Sequence, residues 1–125
     1  SGFNKGYFYE PTVFDNVKDD FKIMKEEPFG PLTPLLTFKN FDEVMEKANN
    51  QVAGLAAYVC TSSIDLANKT SEGLETGMVA VNTPFISNAE TPFGGIKQSG
   101  YGREGGSMGI KDYLNIKYTH MGIKA

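Results

Sequence analysis

The sequence predicts an α/β fold, with a parallel sheet built in the order strand, helix, strand, helix, strand. Three apolar runs of strand length carry this prediction: residues 32–38, 54–61 and 78–82. Two segments with helical periodicity separate them. The runs do not alternate between apolar and polar side chains, as expected for strands covered on both faces. Short strands joined by helices form parallel sheets with right-handed crossovers.

The first predicted helix covers residues 40–50, after a strand whose Pro34 favours an edge or a bulge. Asn40 can cap this helix, and Glu43 follows three residues later, as in a capping box. The spacing of its apolar residues predicts one buried face. That face consists of Phe41, Val44, Met45 and Ala48.

The second predicted helix begins after Ser62 or Ser63, either of which can cap it. Gly73 weakens its last turn by about 1 kcal/mol relative to alanine, and Gly77 follows as a stop signal. Its predicted inner face consists of Leu66, Ala67, Thr70 and Leu74.

Composition and charge exclude several classes of function. The chain has 125 residues, enough for one domain with a core, and a net charge of −3. Without a basic stripe, this charge argues against a nucleic-acid partner. No apolar run approaches the length of about 18 residues that a membrane span needs. The N-terminal stretch, residues 1–11, lacks the features of a signal peptide. It also lacks an initiator methionine, so we expect a piece of a longer chain.

The single cysteine, Cys60, excludes an internal disulfide and a cysteine metal cage, and predicts a reducing, cytoplasmic compartment. Cys60 ends an apolar run and has no cationic neighbours in sequence, so we predict a buried structural cysteine. The only histidine, His120, is predicted to lie at the surface or in an interface.

Seven of the fourteen glycines lie between Gly94 and Gly109, in a long irregular segment of the kind that is usually functional. The letters "GYGREG" match a dinucleotide-binding fingerprint, but no strand precedes them and only 20 residues follow, so we reject that interpretation. A short helix is predicted at 107–114, and a last strand at 116–121.

The stretch "EEPFGP" predicts a stiff loop after a short helix. Glu27 precedes a proline and is therefore pushed out of the helical region, while Pro28 and Pro31 fix φ on both sides of Phe29. Such a loop presents the Glu27 carboxylate in a set direction, where its two acceptor oxygens suit a ribose diol. The alternative is that Glu26 and Glu27 are solvated acids at a helix end, and the residues alone leave both interpretations open.

Four motifs together resemble the NAD(P)-dependent aldehyde dehydrogenase superfamily, in its C-terminal quarter. They are "EEPFGP", "GLAAYV", "GMVAVN" and "PFGGIKQSGYGREGG". The stretch "VNTPFISNAETPFGGIKQSGYGREGGSMGIKDYLNIKY" is most similar to succinate-semialdehyde dehydrogenases. The resemblance implies that residues 1–114 are the C-terminal part of the catalytic domain and that 115–125 form an oligomerisation strand or tail. That strand would join copies of the chain into a homo-oligomer.

The resemblance also implies roles for individual residues. Glu27 would bind the nicotinamide-ribose hydroxyls of NAD or NADP, and Phe29 would pack beside that ribose and the nicotinamide. Phe93 would line the aldehyde channel, and Ser87 would contact the distal carboxylate of a semialdehyde. Other residues would shape the loop without taking part in the chemistry: Gly94, Gly95, Gly100, Gly102, Arg103 and Glu104.

In this family a cysteine thiolate attacks the aldehyde, hydride passes to the nicotinamide, and a glutamate base helps water to hydrolyse the thioester. The motif order implies that the nucleophile, the base and the dinucleotide-binding domain lie upstream, and Cys60 lies on the wrong element. We therefore assign no catalytic residue here and expect the chain alone to be inactive. Two alternatives stay open: a non-catalytic folding and oligomerisation module, or an enzyme for another aldehyde (glutarate or methylmalonate semialdehyde, or a broad aliphatic set).

Overall fold

The computed structural model describes residues 5–123. The chain divides into two compact units, Ser1–Lys47 and Ala48–Ala125. The first four residues of the N-terminal stretch, and the last two of the predicted 115–125 tail, lie outside the described residues. The division into a catalytic-domain part and a tail stays a prediction.

The helices and strands are short, and several are shorter than the runs that predict them. In chain order they are β1 (Thr12–Phe14), α1 (Lys22–Lys25), β2 (Leu32–Pro34), α2 (Phe41–Asn49), β3 (Ala53–Gly54), β4 (Ala56–Val59), α3 (Ile64–Gly73), β5 (Met78–Val81), β6 (Ile96–Lys97) and a 3-10 helix (Gly109–Tyr113). The predicted α/β class is confirmed, and the predicted helix at 107–114 is present as the 3-10 helix.

In the first unit, β1 and β2 form a parallel two-stranded sheet, with Thr12 opposite Leu32. Pro34 is the last residue of β2, in agreement with the predicted edge position. Among the described residues β2 pairs with β1 and not with β4, so the expected single sheet through residues 32–38, 54–61 and 78–82 is not formed.

Helix α1 ends, and helix α2 begins, where local chemistry predicts. Helix α1 stops at Lys25, and the Glu26 N–H donates to the Lys22 carbonyl at 2.9 Å. Helix α2 starts after Asn40, whose Oδ1 accepts from the Glu43 N–H at 2.9 Å. The Glu43 carboxylate reaches back to the Lys39 N–H at 2.8 Å, one residue earlier than in a standard capping box.

In the second unit, β4, α3 and β5 form the predicted parallel crossover, with Ala56 opposite Met78. Ser63, rather than Ser62, caps α3, and its hydroxyl accepts from the Leu66 N–H at 3.3 Å. Ala67 on α3 is buried, together with Met78 and Ala80 of β5.

Three burial predictions in this crossover are wrong. Leu66 is 44% exposed, because the buried stripe of α3 runs through Ala67 and its i+3 and i+4 neighbours. Tyr58 of β4 is also exposed, although it lies opposite the buried Ala80 of β5, so the strands of this sheet are not fully covered on both faces. Cys60 is exposed and lies just beyond the end of β4 at Val59.

The apolar run 54–61 is interrupted at Leu55, and Gly54 at its start belongs, with Ala53, to a separate strand. This strand, β3, pairs antiparallel with β6, a pairing that the sequence did not predict. Gly54 is required here because a Cβ would lie 2.6 Å from the Glu75 carbonyl oxygen.

The last predicted strand, at 116–121, is not formed within the described part of the single chain. A strand needs a partner for its backbone hydrogen bonds, and none of residues 5–123 pairs with this segment. Ile116 and Tyr118 are exposed. His120 lies at the surface, as predicted, with its ring stacked on Tyr118 at 6.5 Å between centroids. No helix in residues 5–123 combines the length and apolar character needed to cross a bilayer.

Candidate functional site

The loop that carries Glu27 is rigidified by two successive tight turns. The Gly30 N–H donates to the Pro28 carbonyl at 2.7 Å, and the Leu32 N–H donates to the Gly30 carbonyl at 2.8 Å. Each bond closes a three-residue turn, the first around Phe29 and the second around Pro31. With φ fixed at both prolines, the loop has few alternative conformations.

The two adjacent glutamates of this loop differ in their contacts. Glu26 forms an ion pair with Lys22 at 3.3 Å. Glu27 is exposed, and within residues 5–123 no hydrogen bond or ion pair engages its carboxylate. Phe29 is 99% exposed. A free carboxylate beside an uncovered ring fits a ligand that combines a sugar diol with an aromatic ring, as a nicotinamide nucleoside does.

In the second unit, Ser87 and Phe93 lie on the same depression, which has a volume of about 480 Å³. Its lining residues are Ser87, Asn88, Ala89, Phe93, Glu104 and Gly105. Ser87 is exposed, and its hydroxyl has no hydrogen-bond partner in the described part of the chain. Phe93 is half-buried. The structure therefore brings together the two residues predicted to bind substrate.

Phe93 is held in place by its backbone. Phe93 and Glu104 exchange two hydrogen bonds of 2.7 Å each, in an isolated antiparallel bridge. The guanidinium of Arg103 donates to the carbonyls of Gly95, at 2.8 Å, and Gly102, at 2.6 Å. These bonds fold the glycine-rich segment back on itself next to Phe93.

The Ser87 side of the depression is a separate turn, residues 88–91. The Asn88 Oδ1 accepts from the N–H groups of Glu90 and Thr91, both at 3.0 Å. The Gly106 N–H donates to the Ala89 carbonyl at 3.0 Å, which ties this turn to the glycine-rich segment.

Sequence reasoning missed Lys97, whose side chain anchors the glycine-rich segment to residues 49–51 and to Glu75. Its ammonium donates to the Asn49 carbonyl at 2.8 Å and the Gln51 carbonyl at 3.2 Å, and it pairs with Glu75 at 2.6 Å. Its φ of 56° lies in the left-handed region, which is costly for a lysine. The only signal in the sequence was a lysine inside a glycine-rich stretch.

The first unit also carries a cluster of charged side chains. Lys47 pairs with Glu43 at 3.2 Å and with Asp19 at 3.6 Å. The hydrogen bond from the Lys39 N–H, followed by that from Lys47, lowers the pKa of Glu43. The hydrogen bond with Glu43 raises the pKa of Lys47. In the described part of the chain, no cluster of three His, Cys, Asp or Glu side chains could hold a metal ion.

Comparison with known proteins identifies the family to which the chain belongs. Residues 1–119 match the aldehyde dehydrogenase family. The chain belongs to the aldehyde dehydrogenase family. The resemblance in its four motifs is thereby confirmed, and with it the α/β fold that the resemblance implied.

Two relatives of this aldehyde dehydrogenase chain are about half identical to it. A mitochondrial succinate-semialdehyde dehydrogenase of Oryza sativa subsp. japonica is 50% identical over 115 residues, which are 92% of this chain and 22% of the relative. A 3-sulfolactaldehyde dehydrogenase of Pseudomonas putida is 52% identical over 117 residues, 94% of this chain and 24% of the relative. The chain thus spans roughly a quarter of the length of these relatives.

The fold also matches a solved aldehyde dehydrogenase. The NAD+ complex of the enzyme from Bacillus cereus superposes with a TM-score of 0.89 at 47% identity. The match covers 96% of this chain and 24% of that one.

Proposed function

We propose that this chain is the part of an NAD(P)-dependent aldehyde dehydrogenase that supplies one wall of the aldehyde site and one anchor for the cofactor. The enzyme oxidises a semialdehyde to the acid, and succinate semialdehyde is the substrate we favour. The observation that carries this proposal is that Ser87 and Phe93 line one depression.

On the substrate side, the Ser87 hydroxyl donates to the distal carboxylate and the Phe93 ring covers the carbon chain. A hydrogen bond to a charged group is worth about 1.5–3 kcal/mol, enough to select an acid-bearing aldehyde. The two relatives described above are named for aldehydes that carry an acidic group, which supports this choice. Because Glu104 lines the same depression and Arg103 is bound to carbonyls, we propose that the balancing cation comes from outside this chain.

On the cofactor side, bound NAD+ or NADP+ supplies the hydride acceptor. Glu27 accepts hydrogen bonds from two ribose hydroxyls, and the proline frame holds its carboxylate in position. Phe29 packs its exposed ring beside the ribose and the nicotinamide. The likeness to a relative solved with NAD+ supports this role.

We propose that the nucleophilic cysteine and the general base lie in other parts of the enzyme. Cys60 follows β4 and does not line the Ser87–Phe93 depression. The 125-residue chain alone is therefore expected to show no turnover of succinate semialdehyde with NAD+ or NADP+. Turnover by the chain alone would contradict this assignment.

The substrate proposal is tested with Ser87→Ala in the whole enzyme. We expect the KM for succinate semialdehyde to rise roughly tenfold or more, because a hydrogen bond to a carboxylate is lost. The KM for butanal, which has a methyl group in place of the carboxylate, should stay unchanged. Ser62→Ala is the matched control, since Ser62 is exposed and lies away from the depression. An unchanged KM for succinate semialdehyde in Ser87→Ala would contradict the proposal.

A panel of aldehyde substrates distinguishes succinate semialdehyde from the alternative substrates. Comparable kcat/KM values for glutarate or methylmalonate semialdehyde, or for neutral aliphatic aldehydes, would replace succinate semialdehyde with that class. A cytoplasmic location stays part of the proposal, although the rice relative is named as mitochondrial.

A second candidate function is assembly. The segment after the 3-10 helix exposes a run of large apolar side chains: Leu114, Ile116, Tyr118, Met121 and Ile123. We propose that this segment adds a strand to the sheet of another copy and so joins subunits. Light scattering of the chain should show dimers or larger species, whereas a monomer at high concentration would contradict an assembly role.

A further inference from the structure

Two consecutive glycines join the Ser87 and Phe93 sides of the depression. We propose that Gly105 is a specificity-determining residue, which keeps the Ser87 side of the depression close enough to the Phe93 side for an acid-bearing aldehyde by letting the turn at residues 88–91 lie against it. The inference rests on the proposed function of Ser87 and Phe93, and it names the residue that sets the distance between them.

The backbone at this point excludes a side chain for two reasons. Gly105 has a φ of +70°, in the left-handed region that favours glycine. A Cβ built on Gly105 would lie 2.9 Å from the Thr91 carbonyl oxygen, with the Ala89 and Asn88 carbonyl oxygens at 3.6 and 3.8 Å. The nearest of these atoms is backbone, so a side chain could be accommodated only if the turn moved.

Movement of this turn reaches Ser87 directly. Residues 88–91 are held as a unit, because Asn88 bonds to the amides of Glu90 and Thr91 and Ala89 accepts from Gly106. Ser87 immediately precedes Asn88. A displacement at Thr91 is therefore transmitted to the hydroxyl proposed to bind the substrate carboxylate.

The other side of the depression is also connected to Gly105. Glu104 precedes Gly105 and holds Phe93 by two backbone hydrogen bonds of 2.7 Å. Gly105 itself lines the depression. A side chain here would both occupy space in the depression and push the Ser87 side away from the Phe93 side.

The experiment compares Gly105→Ala with Gly100→Ala in the whole enzyme. Gly100 also has a positive φ, +106°, but a Cβ there would meet nothing within 4 Å, so the control carries backbone strain without the clash. For Gly105→Ala we expect kcat/KM for succinate semialdehyde, relative to butanal, to fall about tenfold, the scale of one overpacked side chain. Gly100→Ala should leave this ratio within about twofold of the wild type.

A second variant keeps the test decisive if Gly105→Ala does not fold. Asparagine tolerates the left-handed region better than alanine but also carries a Cβ, so Gly105→Asn should lower the same ratio. In the 125-residue chain, either variant should speed amide hydrogen exchange at Thr91 and Gly106, while Gly100→Ala should not.

The outcomes separate this inference from the proposed function. If Ser87→Ala lowers the ratio and the Gly105 variants change it no more than Gly100→Ala does, the role of Gly105 is overturned and that of Ser87 stands. If Ser87→Ala leaves the ratio unchanged, the proposed substrate contact fails, and this inference fails with it.

Discussion

The side chain of Asn82 holds the backbone of Thr61 through two hydrogen bonds. Its Oδ1 accepts from the Thr61 N–H at 2.9 Å, and its Nδ2 donates to the Thr61 carbonyl at 2.8 Å. The Asn82 N–H also donates to the Val59 carbonyl at 2.8 Å. These bonds join the ends of β4 and β5 where the chain leaves the sheet towards Ser87.

Replacing Asn82 should loosen this junction. Asn82→Ala loses both side-chain bonds and places alanine at a φ of 56°, so we expect a loss of about 1–3 kcal/mol in the free energy of unfolding. Urea unfolding of the chain measures this loss. Asn50→Ala is the control, because Asn50 is exposed and has no hydrogen bond among the described residues. Equal unfolding midpoints for the two variants would contradict the structural role of Asn82.

Lys97 offers a second test, directed at the support of the glycine-rich segment. Lys97→Met keeps the length of the side chain but leaves Asn49, Gln51 and Glu75 without the ammonium group. We expect a loss of about 1–3 kcal/mol in the free energy of unfolding. Amide exchange at Gln98 and Ser99 should also speed up. Lys117→Met, at an exposed site, controls for the loss of charge, and identical exchange in both variants would rule out the anchor.

The pH dependence of stability should report the pair Glu43 and Lys47. The folded pKa of Glu43 is lowered from 4.5, so its contribution is fully present above that value and is lost as the pH falls through the lowered pKa. The folded pKa of Lys47 is raised from 10.5, so its contribution is lost only as the pH rises past that value. In Glu43→Gln, the free energy of unfolding should therefore fall less steeply as the pH is lowered into the acid range.

The measurement is urea unfolding of the chain between pH 3 and 7, which spans the titration of carboxyl groups of about pKa 4. Glu46→Gln is a matched control on the same helix, since Glu46 is exposed and forms no ion pair in the described region. If the free energy of unfolding falls as steeply in both variants as in the wild type, the Glu43 interactions do not stabilise the fold.

Local chemistry predicted much of the fold. Asn40 and Glu43 predicted the start of α2, and the glutamate–proline step predicted the end of α1. Ser63, one of the two residues predicted to cap α3, is its N-cap. Each of these features depends on residues within a few positions of one another, which a single sequence displays.

The pairing of β3 with β6 was not predicted, because it depends on contacts between distant residues that no local pattern encodes. The Gly54 N–H donates to the Ser99 Oγ, 45 positions later, and this hydrogen bond helps to hold β3 beside β6. The apolar run ending at Cys60 indicated a strand, but not which of its ends would be left uncovered.

In the candidate site too, the local sequence predicted only part of what the structure contains. Physical reasoning alone left Glu27 between a solvated acid and a positioned carboxylate, and only the resemblance carried by the other motifs assigned it to a ribose. The structure adds a contrast that the sequence could not supply. Glu26 is paired with Lys22, whereas no contact within residues 5–123 engages the Glu27 carboxylate.

The most direct test measures the KM of both substrates in the whole enzyme carrying Glu27→Gln, with Glu26→Gln as its neighbouring control. We expect Glu27→Gln to raise the KM for the nicotinamide cofactor roughly tenfold, because hydrogen bonds to a charged carboxylate are weakened. The KM for succinate semialdehyde should change little, and Glu26→Gln should resemble the wild type. A cofactor KM that is unchanged in Glu27→Gln, or raised equally in Glu26→Gln, would contradict the assignment of Glu27 as the cofactor anchor.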